Sequence, residues 1–106
     1  MLEITPTELK EYLDIAPSPP LLLDVREPRE WDICHIEGSE HIPMGRIPEA
    51  WPGLDPERET VVICHHGLRS AQVAAYLQQM GFKKVLNLSG GVDAWAREVD
   101  PAMATY

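Results

Sequence analysis

A chain of 106 residues provides one domain with a core of ordinary size and little room for a second. Its 44% hydrophobic and 25% charged residues match a globular protein rather than a disordered one. Nine Lys and Arg against seventeen Asp and Glu leave a formal charge of -8, which excludes nucleic acid and anionic lipid as natural partners, so any anion site must be built locally against the overall field.

The first residues, MLEITPTELKEYL, have no basic segment followed by an apolar run, and no stretch approaches a membrane span. The reading is a cytoplasmic protein whose two cysteines are reduced thiols rather than a disulfide. Ile4 is predicted to end a short strand that enters a helix, with Thr5 as N-cap, Pro6 at the first helical position and Glu8 closing a T-x-x-E capping box. This helix should bury Leu9 and Leu13 and stop before Ala16-Pro17-Ser18-Pro19-Pro20. Leu21 to Val25 is a continuous apolar run of the kind found in a strand covered on both faces. Pro28 to Ile33 is predicted as a short helix that buries Trp31. Glu37 to Pro56 is rich in Pro and Gly, with one amphipathic turn at Ile47 to Trp51.

Thr60 to Ile63 is a second buried-type strand. Arg69 to Met80 is the clearest helix, with Val73, Leu77 and Met80 on one stripe, Ala74 beside it, and Gly81 at the C′ position. Lys84 to Leu88 is predicted as a strand and Val92 to Val99 as a helix carrying Trp95. The domain core is placed at about residues 4–101, and the tail 102–106 is expected to fray. Strands alternating with helices imply an α/β fold, a largely parallel sheet with helices on both faces.

In such sheets ligands collect at the carboxyl ends of the strands, where Cys64 falls. Residues 64 to 70 form a strand–loop–helix turn, and Gly67 gives it a backbone conformation closed to other residues. The amides of His65 through Ser70 can then converge at the positive end of a helix dipole. Those amides and Arg69 favour a thiolate at Cys64, the nucleophilic form. The alternatives are a small buried hydrophobe, or a metal site using Cys64, His65 and His66 with or without Cys34-His35. Adjacent histidines in one tight loop rarely point at one ion and the usual ligand spacing is missing, so no metal is expected. Ser70 has a second role open to it, capping the helix start.

Three motifs in order make the chain resemble the rhodanese-like (sulfurtransferase) family, specifically its small single-domain bacterial members. Leu22-Leu23-Asp24-Val25-Arg26-Glu27, with Glu30-Trp31 and His35-Ile36-Glu37-Gly38, is similar to its N-terminal signature. Cys64-His65-His66-Gly67-Leu68-Arg69-Ser70 is similar to its active-site loop, and Asn87-Leu88-Ser89-Gly90-Gly91-Val92-Asp93-Ala94-Trp95 to its C-terminal signature. The resemblance implies a three-layer α/β/α fold with about five strands. It implies that Cys64 accepts sulfane sulfur and becomes a persulfide, with no other cofactor, inside a substrate loop made of His65, His66, Gly67, Leu68, Arg69 and Ser70.

The implied reaction is ping-pong. A donor such as thiosulfate leaves its outer sulfur on the cysteine, and an acceptor removes it: cyanide in assay, thiols in the cell, those of a partner protein included. Asp24 and Arg26 match the signature's acid and base and are expected to support the loop as an ion pair. Arg69 has a structural option, pairing with a nearby carboxylate. Cys34 stands where many members have glycine and is read as loop filler rather than a second redox thiol. A cysteine phosphatase or arsenate reductase is disfavoured, since C-x5-R loops are one residue longer and no aspartate general acid is evident. A regulatory module without turnover is disfavoured by the retention of Cys64, Gly67 and Arg69.

Overall fold

The computed structural model describes residues 2–106. The first strand, β1 (Leu2–Ile4), hands over to helix α1 (Pro6–Ile15) through the predicted capping box. The Glu8 amide donates to Thr5 Oγ1 at 3.1 Å and the Thr5 amide donates to Glu8 Oε1 at 2.9 Å, satisfying two of the helix's orphan donors. The helix runs two residues beyond Leu13 before the proline-rich break. Then follow β2 (Leu21–Asp24), α2 (Pro28–Ile33), β3 (Glu40–His41), α3 (Ile47–Ala50), β4 (Thr60–Ile63), α4 (Leu68–Gln79), β5 (Val85–Leu88) and α5 (Gly91–Glu98). Single 3-10 turns at Met44–Arg46 and Trp51–Gly53 flank α3. The helix predicted from Arg69 thus starts one residue earlier. Gly81, with φ of 101°, takes the left-handed conformation expected just past its end.

The five strands form one sheet in the order β1-β5-β4-β2-β3, and every pairing is parallel. All residues of β2, β4 and β5 are buried, including the polar Asp24, Thr60 and Asn87. Alternate residues feed two cores. Leu21, Leu23, Val62 and Val85 pack with Ile47 of α3 and with Val73, Ala74 and Leu77 of α4 on one face. Leu22, Val61, Ile63, Leu86 and Leu88 pack with Leu9 of α1 and with Val92 and Trp95 of α5 on the other. This is the expected three-layer α/β/α arrangement. Each fully buried Leu or Val contributes about 1.5–3 kcal/mol to holding the layers together. Among the described residues no helix is long and apolar enough to cross a membrane.

Two expectations need correction. Helix α2 does not bury Trp31: the residue taken inside is Glu30, and the Trp31 ring lies half-buried between His35 (ring centroids 3.8 Å apart) and His41 (4.8 Å). The cause is a charged partner for Glu30 on α4, 39 residues away and invisible to local periodicity. The tail does not fray either. Met103 packs against the second core and Tyr106 reaches the middle of a polar network. Strand β3 falls inside the segment read from sequence only as Pro- and Gly-rich. Its two residues pair with Leu23 and Asp24.

Candidate active site

Because every strand is parallel, the ends of β2, β4 and β5 open on one edge of the sheet, and Cys64 follows β4 there. Its side chain is 1% exposed. The Gly67 amide donates to Cys64 Sγ at 3.1 Å, and Ser70 Oγ lies 3.2 Å from the same sulfur. Gly67 makes the turn with φ of 101°. Ser70 Oγ donates to Asn87 Oδ1, and Asn87 Nδ2 donates back to the Gly67 carbonyl at 3.0 Å. Asn87, a polar residue in the buried strand β5, thereby fixes both ends of the turn around the sulfur.

The loop is also held from α5. The Val92 amide donates to the Cys64 carbonyl at 2.9 Å and the Asp93 amide to the His65 carbonyl at 3.1 Å. This close approach depends on Gly91, with φ of 60°: a Cβ there would lie 2.3 Å from the Cys64 carbonyl oxygen and 2.4 Å from that of His65. The glycine at the first position of α5 is thus a steric requirement of the cysteine loop.

The remaining loop residues diverge. Arg69 grips Glu30 with two hydrogen bonds, Nη1 to Oε2 at 2.8 Å and Nη2 to Oε1 at 2.9 Å, which is the bidentate carboxylate geometry. Those bonds hold the Glu30 carboxyl far below its ordinary range, against the opposing effect of burial. The same bonds push the Arg69 guanidinium up, so both stay charged across ordinary pH. Leu68 is 78% exposed, and the His66 side chain is 61% exposed. The His65 ring stacks on Tyr106 at 3.8 Å, and burial pushes its imidazole below the ordinary histidine value, with the His66 charge acting the same way.

Asp24 and Arg26 form the expected ion pair, fully buried, with Nη2 to Oδ2 at 2.7 Å. It contacts the cysteine loop only through intermediaries. Arg26 donates to the Cys34 carbonyl at 2.6 Å, to the Glu30 carbonyl at 3.2 Å and to the Tyr106 hydroxyl at 2.9 Å. Burial opposes the Arg26 charge, but the hydrogen bonds from Asp24 and Tyr106 outweigh it and its pKa rises. Tyr106 in turn donates to Glu30 Oε1 at 2.8 Å, and burial pushes its phenol up to about 12. A chain of contacts therefore runs Asp24–Arg26–Tyr106–Glu30–Arg69. Glu30, Asn87 and Gly91 stand inside the quoted motifs but were given no role from sequence, and Tyr106 was placed in a fraying tail. A polar residue inside the apolar run of β5 was the one readable sign of a buried network.

A buried cysteine sulfur cupped by a strand-to-helix turn, at the carboxyl edge of a parallel sheet, defines a cysteine-centred α/β domain. The family model of the rhodanese-like domain matches residues 5–98, and the chain belongs to that family. It is 43% identical to the putative sulfurtransferase YtwF of Bacillus subtilis, over 93% of this chain and 94% of that one. It is 41% identical to the probable adenylyltransferase/sulfurtransferase MoeZ of Mycobacterium tuberculosis over 97% of this chain, and spans about a quarter (26%) of that protein's length. The crystal structure of a rhodanese-like domain protein from Staphylococcus aureus superposes with a TM-score of 0.86 at 31% identity, over 100% of this chain and 99% of the other.

Proposed function

We propose that the protein is a sulfurtransferase that carries sulfane sulfur as a persulfide on Cys64. The observation that carries this reading is the size and wiring of the loop. One buried sulfur receives the Gly67 amide at 3.1 Å and lies 3.2 Å from Ser70 Oγ, while Arg69 is committed to Glu30. A phosphatase needs its loop arginine for a tetrahedral oxyanion, and here that cation is already engaged.

With thiosulfate as donor, the Cys64 thiolate attacks the outer sulfur. A new S–S bond forms as the old one breaks, and its electron pair leaves on sulfite. The acceptor, cyanide in assay or a thiolate in the cell, then attacks the outer persulfide sulfur and returns Cys64 as thiolate, with no net oxidation. The Gly67 N–H stands where charge returns to Sγ in the second half-reaction, and so stabilises it. No metal or organic cofactor enters either step. Exposed Leu68 beside this sulfur suits an acceptor presented by a partner protein. The two free cysteines suit the reducing cytoplasm.

Mass spectrometry after thiosulfate treatment should find one added sulfur on Cys64. Cys64→Ala should gain none at that position and lose thiosulfate:cyanide transfer while keeping its fold. Undiminished turnover in a folded Cys64→Ala protein would sink the mechanism.

A further inference from the structure

His65 and His66 belong to the loop but touch neither the sulfur nor its hydrogen-bonding partners. Their rings lie side by side, with centroids 3.9 Å apart. Asp93, at the start of α5, faces them, with its carboxylate 4.0 Å from His66 Nε2. One ligand atom from each of His65, His66 and Asp93 can be chosen so that all three lie within 4.8 Å of one another.

From this geometry we infer a binding site for a divalent transition metal of the zinc class at the rim of the cysteine loop, with His65, His66 and Asp93 as ligands. Two imidazoles and a carboxylate are a borderline donor set that suits zinc, cobalt or nickel rather than calcium or magnesium. The three residues stand on one rigid frame, because the Asp93 amide is hydrogen-bonded to the His65 carbonyl at 3.1 Å. The Tyr106 stack fixes the His65 ring from its other side. Ligand atoms around a tetrahedral ion lie about 3.4 Å apart, given metal–ligand bonds of about 2.0–2.2 Å. The remaining closure falls to His66, whose exposed ring is free to turn. Asp93 has one competitor, Arg97, whose guanidinium reaches it at 3.2 Å from a side chain that is 64% exposed. Such an exposed pair offers little resistance to an ion. Three protein ligands leave the fourth position open, as in catalytic rather than structural zinc sites.

The test uses Zn2+ and Co2+ on the full chain carrying Cys34→Ser and Cys64→Ser, so that thiols cannot bind, and it does not depend on Cys64 carrying sulfur. Calorimetry should show one saturable site. His66→Ala and Asp93→Asn should each weaken it by at least the roughly 10–100-fold that loss of even an outer-sphere partner costs, while Arg97→Ala binds as well or better. Ring nitrogen resonances of both His65 and His66 should shift on zinc addition, and far-UV circular dichroism should confirm that the variants remain folded. No saturable binding, or equal affinity in folded His66→Ala and Asp93→Asn, overturns the site. So does a shift confined to one histidine. With the cysteines restored, a sulfur-to-cobalt charge-transfer band that accounts for all the binding overturns it as well.

Discussion

Replacing Gly91 by alanine places a Cβ 2.3 Å from one carbonyl oxygen and 2.4 Å from the next, both in the backbone that holds Cys64. Neither atom belongs to a flexible side chain, so the clash is relieved only by moving the loop away from α5. A non-glycine residue at φ of 60° costs about 1–2 kcal/mol by itself. Retreat of the loop lengthens the bonds from the Val92 and Asp93 amides, 2.9 and 3.1 Å at present, at about 0.5–1.5 kcal/mol each. The sum is about 2–5 kcal/mol, which at about 4–8 °C per kcal/mol lowers Tm by roughly 10 °C or more. A thermal melt reads the first effect, and sulfur loading or turnover well below Tm reads the second, since the cysteine moves with its carbonyl. Gly53→Ala is the control, because nothing lies within 4 Å of its added Cβ and its φ is not positive. A Gly91→Ala protein that melts within about 2 °C of the parent and loads sulfur at the parent rate would refute the steric argument.

Glu30→Gln should destabilise the protein at neutral pH and slow turnover by loosening Arg69. Because the folded carboxyl is held below its unfolded value of about 4.3, its contribution is full above that pH and fades as pH falls through the lowered folded value. The Tm gap between parent and variant should therefore narrow between pH 7 and pH 3, and a gap independent of pH would contradict the ion pair. Tyr106→Phe leaves Arg26 and Glu30 each short of one partner and should cost about 1–3 kcal/mol. In ultraviolet titration it should remove a phenol ionising at about 12. Cys34→Ser should leave initial rates of sulfur transfer nearly unchanged. A large loss with the fold intact would make Cys34 a functional thiol.

Features set by a few neighbouring residues were legible in the sequence. Thr5 and Glu8 formed their capping box, Gly81 ended its helix, and the apolar runs 21–24, 60–63 and 85–88 became strands buried on both faces. The cysteine loop was legible for the same reason, since Gly67 at a strand-to-helix turn is a local signal. What escaped depends on partners distant in the chain. Trp31 was expected inside, but Arg69 takes Glu30 there and Trp31 is left half-buried. A two-residue strand such as β3 has no periodicity to detect, and its pairing is decided by β2. Tyr106 could not be placed from a polar tail, because its order comes from Arg26, Glu30 and the His65 ring.

Asn87, which steadies the turn through Ser70 and Gly67, also donates to both carboxylate oxygens of Glu3 at 3.1 Å. Tyr106 bears on the same turn through His65. The cysteine loop is therefore tethered from residue 3 and from residue 106 at once, although it sits near the middle of the sequence. For anyone attaching an affinity tag, a dye or a second domain, neither end is a neutral handle. A load at the first strand is transmitted to the sulfur through one amide, and a load at the last residue through one stacked ring.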